Sequence, residues 1–132
     1  MENSQSIPKN RAIAGWILTA ILSLIFIAAA AIKFQALINP ESASFQKLAK
    51  YGLDGHITVI ALGELVTIVT FLIPKTSQVA LLFLSAQIGG TIATHMEHGE
   101  PFIPHIIVMY LAWFTQWLRN PNSFKFFNTY IK

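Results

Sequence analysis

Four long stretches of the chain are almost free of charge, and the charged residues are concentrated between them. The stretches cover residues 12–32, 55–74, 76–94 and 101–118, and Glu64 is the one formal charge they contain. About 20 apolar residues form a helix long enough to cross the ~30 Å hydrocarbon core of a bilayer. Helices of a soluble bundle would carry charges along one face. The pattern therefore predicts an all-α integral membrane four-helix bundle.

The polar segments divide the chain into three parts. We expect a cytoplasmic tail over 1–11, a four-helix transmembrane domain over 12–121 and a second cytoplasmic tail over 122–132. The predicted spans cover about 12–37, 55–74, 76–95 and 101–119. Arg11 and the apolar run after it resemble a signal peptide, but the apolar core of such peptides usually has about 7–15 residues. A retained first helix is therefore expected.

The loop between the first two spans predicts a short amphipathic helix on the outer side. Asn39 is a favourable helix cap, and Pro40 is favourable at the first helical position. Gly52 is a favourable stop. A partial apolar face is formed by Ala43, Phe45, Leu48 and Ala49.

Basic residues predict the orientation. Four spans place both termini on one side, which receives Lys9, Arg11, Lys75, Arg119, Lys125 and Lys132. The other side receives Lys47 and Lys50, with Lys33 just inside the membrane. Because an excess of Lys and Arg marks the cytoplasmic side, both termini are expected in the cytoplasm. The net charge of +3 is then a mark of topology, and the expected partner is the lipid bilayer instead of nucleic acid.

Composition agrees with this picture and narrows the chemistry. Charged residues make up 11% of the 132 residues, against about 25% in ordinary soluble proteins. The chain contains no cysteine. This excludes thiol–disulfide chemistry, thiolate metal sites and cysteine-ligated iron–sulfur clusters.

Polar residues within the predicted spans indicate a pocket in the outer half of the bundle. Glu64 with Lys33 is either a structural ion pair or a proton-handling or ligand-binding carboxylate, because charges at membrane depth need a partner or have a function. Gln87 is expected to form an interhelical hydrogen bond. Thr91 and His95 lie on the same helical face as Gln87. The candidate pocket residues are therefore Glu64, Lys33, Gln87, Thr91 and His95.

The four histidines leave three interpretations open. His95 and His98 are three residues apart on one helical face, a spacing that suits a metal ion, although both lie where histidines are commonly solvated. Two imidazoles on different helices, drawn from these and from His56 and His105, could instead ligate haem. His56 alone is an interfacial or capping residue in the simplest interpretation.

Small residues predict close helix packing. Ala86 and Gly90 form a small-xxx-small pair, which allows the backbones of membrane helices to approach. Gly63 has the same interpretation.

The order of these motifs resembles the DoxX-like family of small four-helix bacterial membrane proteins over about residues 12–121. The resemblance rests on Lys33-Phe34, the segment 45–52, Gly63-Glu64, the run 89–95 and Arg119-Asn120-Pro121. Val66 and Thr67 stand where relatives often have glycine-rich sequence, so a pocket implied by the family would be narrower here. The resemblance implies a bacterial inner-membrane location. It also implies a link either to thiosulfate:quinone oxidoreduction and membrane redox complexes or to membrane-protein assembly.

Three functions follow as hypotheses. The first is an accessory subunit of a membrane redox or stress system that binds a quinone or another small hydrophobic ligand in the polar pocket, with electrons supplied by a partner protein. The second is a non-catalytic assembly factor or chaperone that engages another membrane protein or a second copy of itself. The third is a histidine-ligated metal or haem protein. No catalytic motif is complete, so enzymatic activity, which would be that of an oxidoreductase subunit acting on quinone, stays open.

Overall fold

The computed structural model describes residues 7–124, and this part of the chain is helical and contains no strand. Its five α-helices are α1 (Lys9–Ile38), α2 (Ala43–Lys50), α3 (Ile57–Leu72), α4 (Ser77–Glu97) and α5 (Ile103–Arg119). Short 3₁₀ turns cover Asp54–His56 and Pro121–Phe124. Lys125 and Lys132, which the sequence assigns to the cytoplasmic side, lie outside the described residues.

Three segments are long and apolar enough to cross a membrane. They are Lys9–Ile38, Asp54–Leu72 and Ser77–Glu97, with mean hydropathies of 2.4, 1.8 and 1.4. At most 33% of the most apolar part of each segment is buried inside the protein. Large apolar side chains such as Leu24 and Val66 point outward, with exposed fractions of 67% and 64%. Since an apolar surface of this extent needs an apolar solvent, the chain is a membrane protein.

The long helices pack around one apolar core. Helix α1 lies against α3 and α5, and α4 lies against the same two helices from the other side. The core is formed by Leu22, Phe26, Ile68, Phe71, Ala80, Leu81, Leu84, Ile88 and Ala112. Polar side chains inside the helices bond back to their own helix: the Thr19 hydroxyl donates to Gly15 O (2.7 Å) and the Ser23 hydroxyl to Thr19 O (2.8 Å). These bonds leave α1 free of unsatisfied hydroxyls at these positions.

A helix, α2, lies in the loop between α1 and α3, but it begins later than the sequence suggests. The cap is Ser42, whose Oγ accepts the Phe45 N–H at 3.2 Å. The predicted cap, Asn39, instead accepts the Glu41 N–H through Oδ1 at 3.2 Å. This local turn holds Pro40 outside the helix, so the prediction of an Asn39 cap is wrong.

The predicted stop at Gly52 is confirmed. Gly52 has a φ of 70°, and its N–H donates to Ala49 O. The next N–H, of Leu53, donates to Leu48 O at 2.9 Å. This pair of bonds is a Schellman motif, which needs a left-handed residue that glycine supplies at low cost. It turns the chain from α2 towards the start of α3.

Candidate functional site

A largely buried ion pair joins α1 to α3. Lys33 Nζ lies 2.8 Å from Glu64 Oε1 and 3.0 Å from Oε2, and a third, longer contact of 3.5 Å joins Nζ to Ala29 O. The side chains of Lys33 and Glu64 are 17% and 12% exposed. Each charge therefore has its opposite partner in a region where water is scarce. The ion pair predicted from the sequence is therefore present in the structure. A role of Glu64 in proton handling or ligand binding stays a prediction.

Beside this pair, Gln87 joins α4 to α3 as the sequence suggests. Its Nε2 donates to Thr67 Oγ1 at 3.1 Å. Gly63 leaves the room for this contact, because a Cβ atom there would lie 3.2 Å from Gln87 Nε2. The other end of the amide, Oε1, is buried and accepts no hydrogen bond from residues 7–124.

These groups line a cavity of about 800 Å³ at the α2 end of the molecule. All five candidate pocket residues, Lys33, Glu64, Gln87, Thr91 and His95, lie on its wall. Its other walls are formed largely by apolar or small residues, among them Ala29, Ile32, Leu48, Leu53, Val59, Ile60, Gly63, Ala86 and Gly90. The volume is in the range of sites that hold small organic ligands. Whether the five residues bind a ligand stays a prediction.

One side of the cavity is bounded by α2 and by Tyr51, which follows it. Ser44, Lys47, Leu48 and Tyr51 reach its wall, and Lys47 Nζ forms an ion pair with Glu100 Oε2 at 2.8 Å. The hydrogen bond and charge of Lys47 lower the pKa of Glu100 to about 2. The same contact raises the pKa of Lys47. Helix α2 is thus tied to the loop between α4 and α5 by an ion pair that stays charged at neutral pH.

A second Schellman motif places Glu100. Gly99 has a φ of 66° and donates its N–H to Met96 O, while the Glu100 N–H donates to His95 O at 2.8 Å. Lys47, Tyr51 and Glu100 were not predicted from the sequence to be parts of the site. The signal that could have found the turn was Gly99, two residues after the end of α4 at Glu97.

The structure shows where the four histidines lie, and metal or haem ligation by them stays a prediction. The rings of His95 and His105 lie 4.4 Å apart between centroids, so they contact each other and leave no gap for a porphyrin. His98 Nδ1 lies 2.8 Å from Thr94 O, and His56 is exposed at the start of α3. Across the described part of the chain, no three His, Asp or Glu side chains are grouped to hold a metal ion.

The small residues of α4 also differ from their predicted role. A Cβ added at Gly89 or Gly90 would meet no atom of the described residues within 4 Å. Gly90 is exposed and lines the cavity with Ala86. The expectation that Ala86 and Gly90 bring two helices together is therefore wrong at Gly90, where the missing side chain leaves open space.

The opposite end of the molecule is closed by Arg119 at the end of α5. Its guanidinium donates to the backbone oxygens of Phe71 (2.9 Å) and Leu72 (3.2 Å), which end α3 without helical partners. It also donates to Thr19 Oγ1 at 3.3 Å and lies 4.4 Å over the Trp16 ring. One side chain therefore joins α1, α3 and α5. From the sequence, Arg119 contributed to the predicted orientation and to the family resemblance, but this role had no signal.

The structure defines a class of helical membrane protein that has a cavity at one end and closely packed helices at the other. Within that class, the chain belongs to the DoxX-like family, whose model matches residues 17–117. Neither a curated protein nor a solved structure matches the chain.

Proposed function

We propose that this DoxX-like protein is a four-helix transmembrane bundle of the bacterial inner membrane that binds a small hydrophobic ligand, such as a quinone, in the outer half of the bundle. It would act as an accessory subunit of a membrane redox or stress system. The observation that carries the proposal is the cavity of about 800 Å³ with the Lys33–Glu64 pair on its wall. Its mixed lining suits a molecule with an apolar body and a polar head.

Helix α5 is the fourth span in this proposal. Its 17 residues are about 26 Å long, somewhat less than the ~30 Å core of a bilayer. Tyr110, Ile107 and Phe114 point outward with exposed fractions of 69%, 61% and 50%. An outward face of this kind needs lipid beside it. The domain boundaries follow as proposed from the sequence, with tails over 1–11 and 122–132 in the cytoplasm and α2 as an amphipathic helix at the outer surface.

Cysteine labelling tests this topology, because the chain has no cysteine of its own. In intact cells, a membrane-impermeant maleimide should label Gln46→Cys in α2 and Glu97→Cys at the end of α4. It should label Lys75→Cys, between α3 and α4, only after the membrane is opened, because positive-inside orientation places this loop in the cytoplasm. Labelling of all three positions before opening would contradict four spans.

Gly90 provides the sharpest test of ligand binding. A leucine at this position has room for its Cβ and would project into the cavity. Gly89→Leu is the matched control, since Gly89 also has room but does not line the cavity. Both changes replace glycine within the same helix, so both should gain about 0.5–1 kcal/mol of helix stability.

The proposal expects that Gly90→Leu loses at least about tenfold in affinity, or about 1.4 kcal/mol, while Gly89→Leu binds as the wild type does. The measurement is binding of a decyl-benzoquinone to protein in nanodiscs, with mass spectrometry of lipids and quinones that copurify with each variant. Equal binding by both variants would place any ligand elsewhere. In that case the assembly-factor hypothesis, tested by copurification of a membrane partner, would be favoured.

A further inference from the structure

The cavity extends to the outward faces of α3 and α4, where it forms a gap between the two helices. This lateral gap is lined by Val59, Gly63, Ala86 and Gly90. We propose that the site takes a lipid-soluble ligand with a long apolar tail, whose polar head lies in the cavity and whose tail passes through the lateral gap into the bilayer. This inference rests on the proposed function, since it specifies the class of ligand for the same cavity.

On α3, the wall of the cavity continues from the core to the outside. Glu64 is buried, whereas Val59 is exposed. Val66 follows Val59 by seven residues, and residues at this spacing differ by only about 20° around the helix axis. Because Val66 is exposed and is not on the wall of the cavity, this face of α3 points away from the protein. Val59 therefore marks a place where the cavity meets the surroundings of the bundle.

Helix α4 shows the same arrangement on its side of the gap. Gln87 is partly buried, whereas Ala86 and Gly90 are exposed. Val79 precedes Ala86 by seven residues and Phe83 precedes Gly90 by seven, so each pair shares a face of the helix. Val79 and Phe83 are exposed and are not on the wall of the cavity. Both helices therefore contribute residues of their outward faces to the wall, which means that the cavity opens between them.

The lateral gap is open because its lining residues are small. Helices α3 and α4 are in contact through Gln87 Nε2, which donates to Thr67 Oγ1. On the side of Gln87 that lies towards α2, a Cβ at Gly90 would meet no atom of the described residues within 4 Å. The residues that line the gap are all apolar, so a hydrocarbon chain can lie there without leaving a polar side chain unpaired.

The position of the gap along the helices suits a tail within the membrane. Ala86 lies 11 residues before Glu97, the last residue of α4, a distance of about 16 Å. Val59 lies near the first residue of α3, at the same end of the bundle. In the proposed orientation the gap therefore spans the outer half of a hydrocarbon core about 30 Å thick. A tail in the gap would contact acyl chains, while the head lies beside Lys33 and Glu64 on the cavity wall.

A smaller cavity reaches the other side of the bundle, between α1 and α5, and shares the Lys33–Glu64 pair with the larger one. Its outer part is lined by Ile25 and Pro104, both exposed. These side chains are larger than the glycines and the alanine of the lateral gap, and the volume is about 240 Å³ against about 800 Å³. The lateral gap is therefore favoured as the route of the tail.

Ala86→Trp tests this route, because an indole on the outward face of α4 would fill the lateral gap. Ala93→Trp is the matched control, since Ala93 is exposed on the same face of α4 but is not on the wall of the cavity. Affinity for a decyl-benzoquinone is measured on protein in nanodiscs from the rise in melting temperature with probe concentration. Ala86→Trp should lower this affinity at least about tenfold, or about 1.4 kcal/mol. Ala93→Trp, and Ile25→Trp at the smaller cavity, should leave it unchanged. An affinity of Ala86→Trp equal to that of Ala93→Trp, or a larger loss in Ile25→Trp, would overturn the inference.

A second probe tests the tail on the wild-type protein, so its result does not depend on whether a variant folds. The decyl tail of this probe ends in a bulky neutral group, a triphenylmethyl ether, which lies in the bilayer if the tail passes through the gap. The affinity should then stay within about threefold of that of the plain decyl probe. A larger loss would show that the whole tail is enclosed, which overturns the inference and leaves the proposed function standing. No binding by either probe would contradict the proposed function itself.

Discussion

Glu64→Ala should destabilise the folded protein by about 3–5 kcal/mol, because it leaves Lys33 charged and unpaired in a largely buried position. The remaining nearby acceptor, Ala29 O, lies 3.5 Å from Nζ and carries no formal charge. Unfolding in detergent mixtures, followed by loss of helical circular dichroism, measures the effect. Glu41→Ala, at an exposed position before α2, is the matched control and should stay within about 0.5 kcal/mol.

The double variant Lys33→Met/Glu64→Leu should recover most of this loss. Apolar residues of similar volume often replace a buried pair at little cost in stability. The coupling between the two sites is then the difference between the double variant and the sum of the single variants. A Glu64→Ala variant as stable as the wild type would show that water reaches Lys33 freely. A double variant that folds but binds no ligand would assign the pair to binding.

Arg119→Met should cost roughly 3 kcal/mol, the second large effect. The change removes charge-assisted hydrogen bonds to Phe71 O and Leu72 O and the stacking on Trp16. Hydrogen bonds to charged groups contribute about 1.5–3 kcal/mol each, and a cation over tryptophan contributes about 0.5–2 kcal/mol. The expected cost is smaller than the sum of these contributions because the hydrogen bond to Leu72 O is exposed to solvent. Lys75→Met, at an exposed position near the same end, should have little effect.

Gly15→Val is an independent test of how much the packing around Arg119 contributes to stability. A Cβ at Gly15 would lie 2.8 Å from Arg119 Cγ and 3.2 Å from Arg119 N, so the side chain and the backbone of α5 would have to move. This variant should unfold at a lower denaturant concentration than the wild type, because its free energy of unfolding should be about 1–3 kcal/mol smaller. If Arg119→Met and Gly15→Val both unfold as the wild type does, Arg119 does not hold this end of the protein together.

The residues of the site that could be predicted from the sequence are polar groups within apolar spans, because such groups need a polar partner inside the membrane. Glu64 is isolated in an apolar stretch and needs a partner, and Lys33 is the nearest candidate. Gln87 likewise needs a polar contact on another helix. The periodicity of α4 then brings Thr91 and His95 to the same wall. These residues are found because an unpaired polar group is costly in such surroundings.

Other parts depend on tertiary contacts that leave no pattern in the chain. The Lys47–Glu100 pair joins α2 to the loop between α4 and α5, and two glycine turns set the position of these two segments. Arg119 lies at a helix end, where basic residues are common, so its contacts with the end of α3 have no separate signal. Gly90 fits a packing motif, but the same small size that permits helix contact also makes room for a cavity.

The closure by Arg119 also bears on how quickly the cavity can exchange its contents. The contacts of Arg119 with α1 and α3 include a partly buried hydrogen bond to Phe71 O, whereas α2 is tied to the loop between α4 and α5 by the ion pair of the exposed Lys47 with the partly exposed Glu100. Exposed pairs are weakened by salt and break readily, while buried bonds persist. If the cavity binds a ligand as proposed, we expect local opening at α2 to control its release, so that its residence time depends on ionic strength more than on global unfolding.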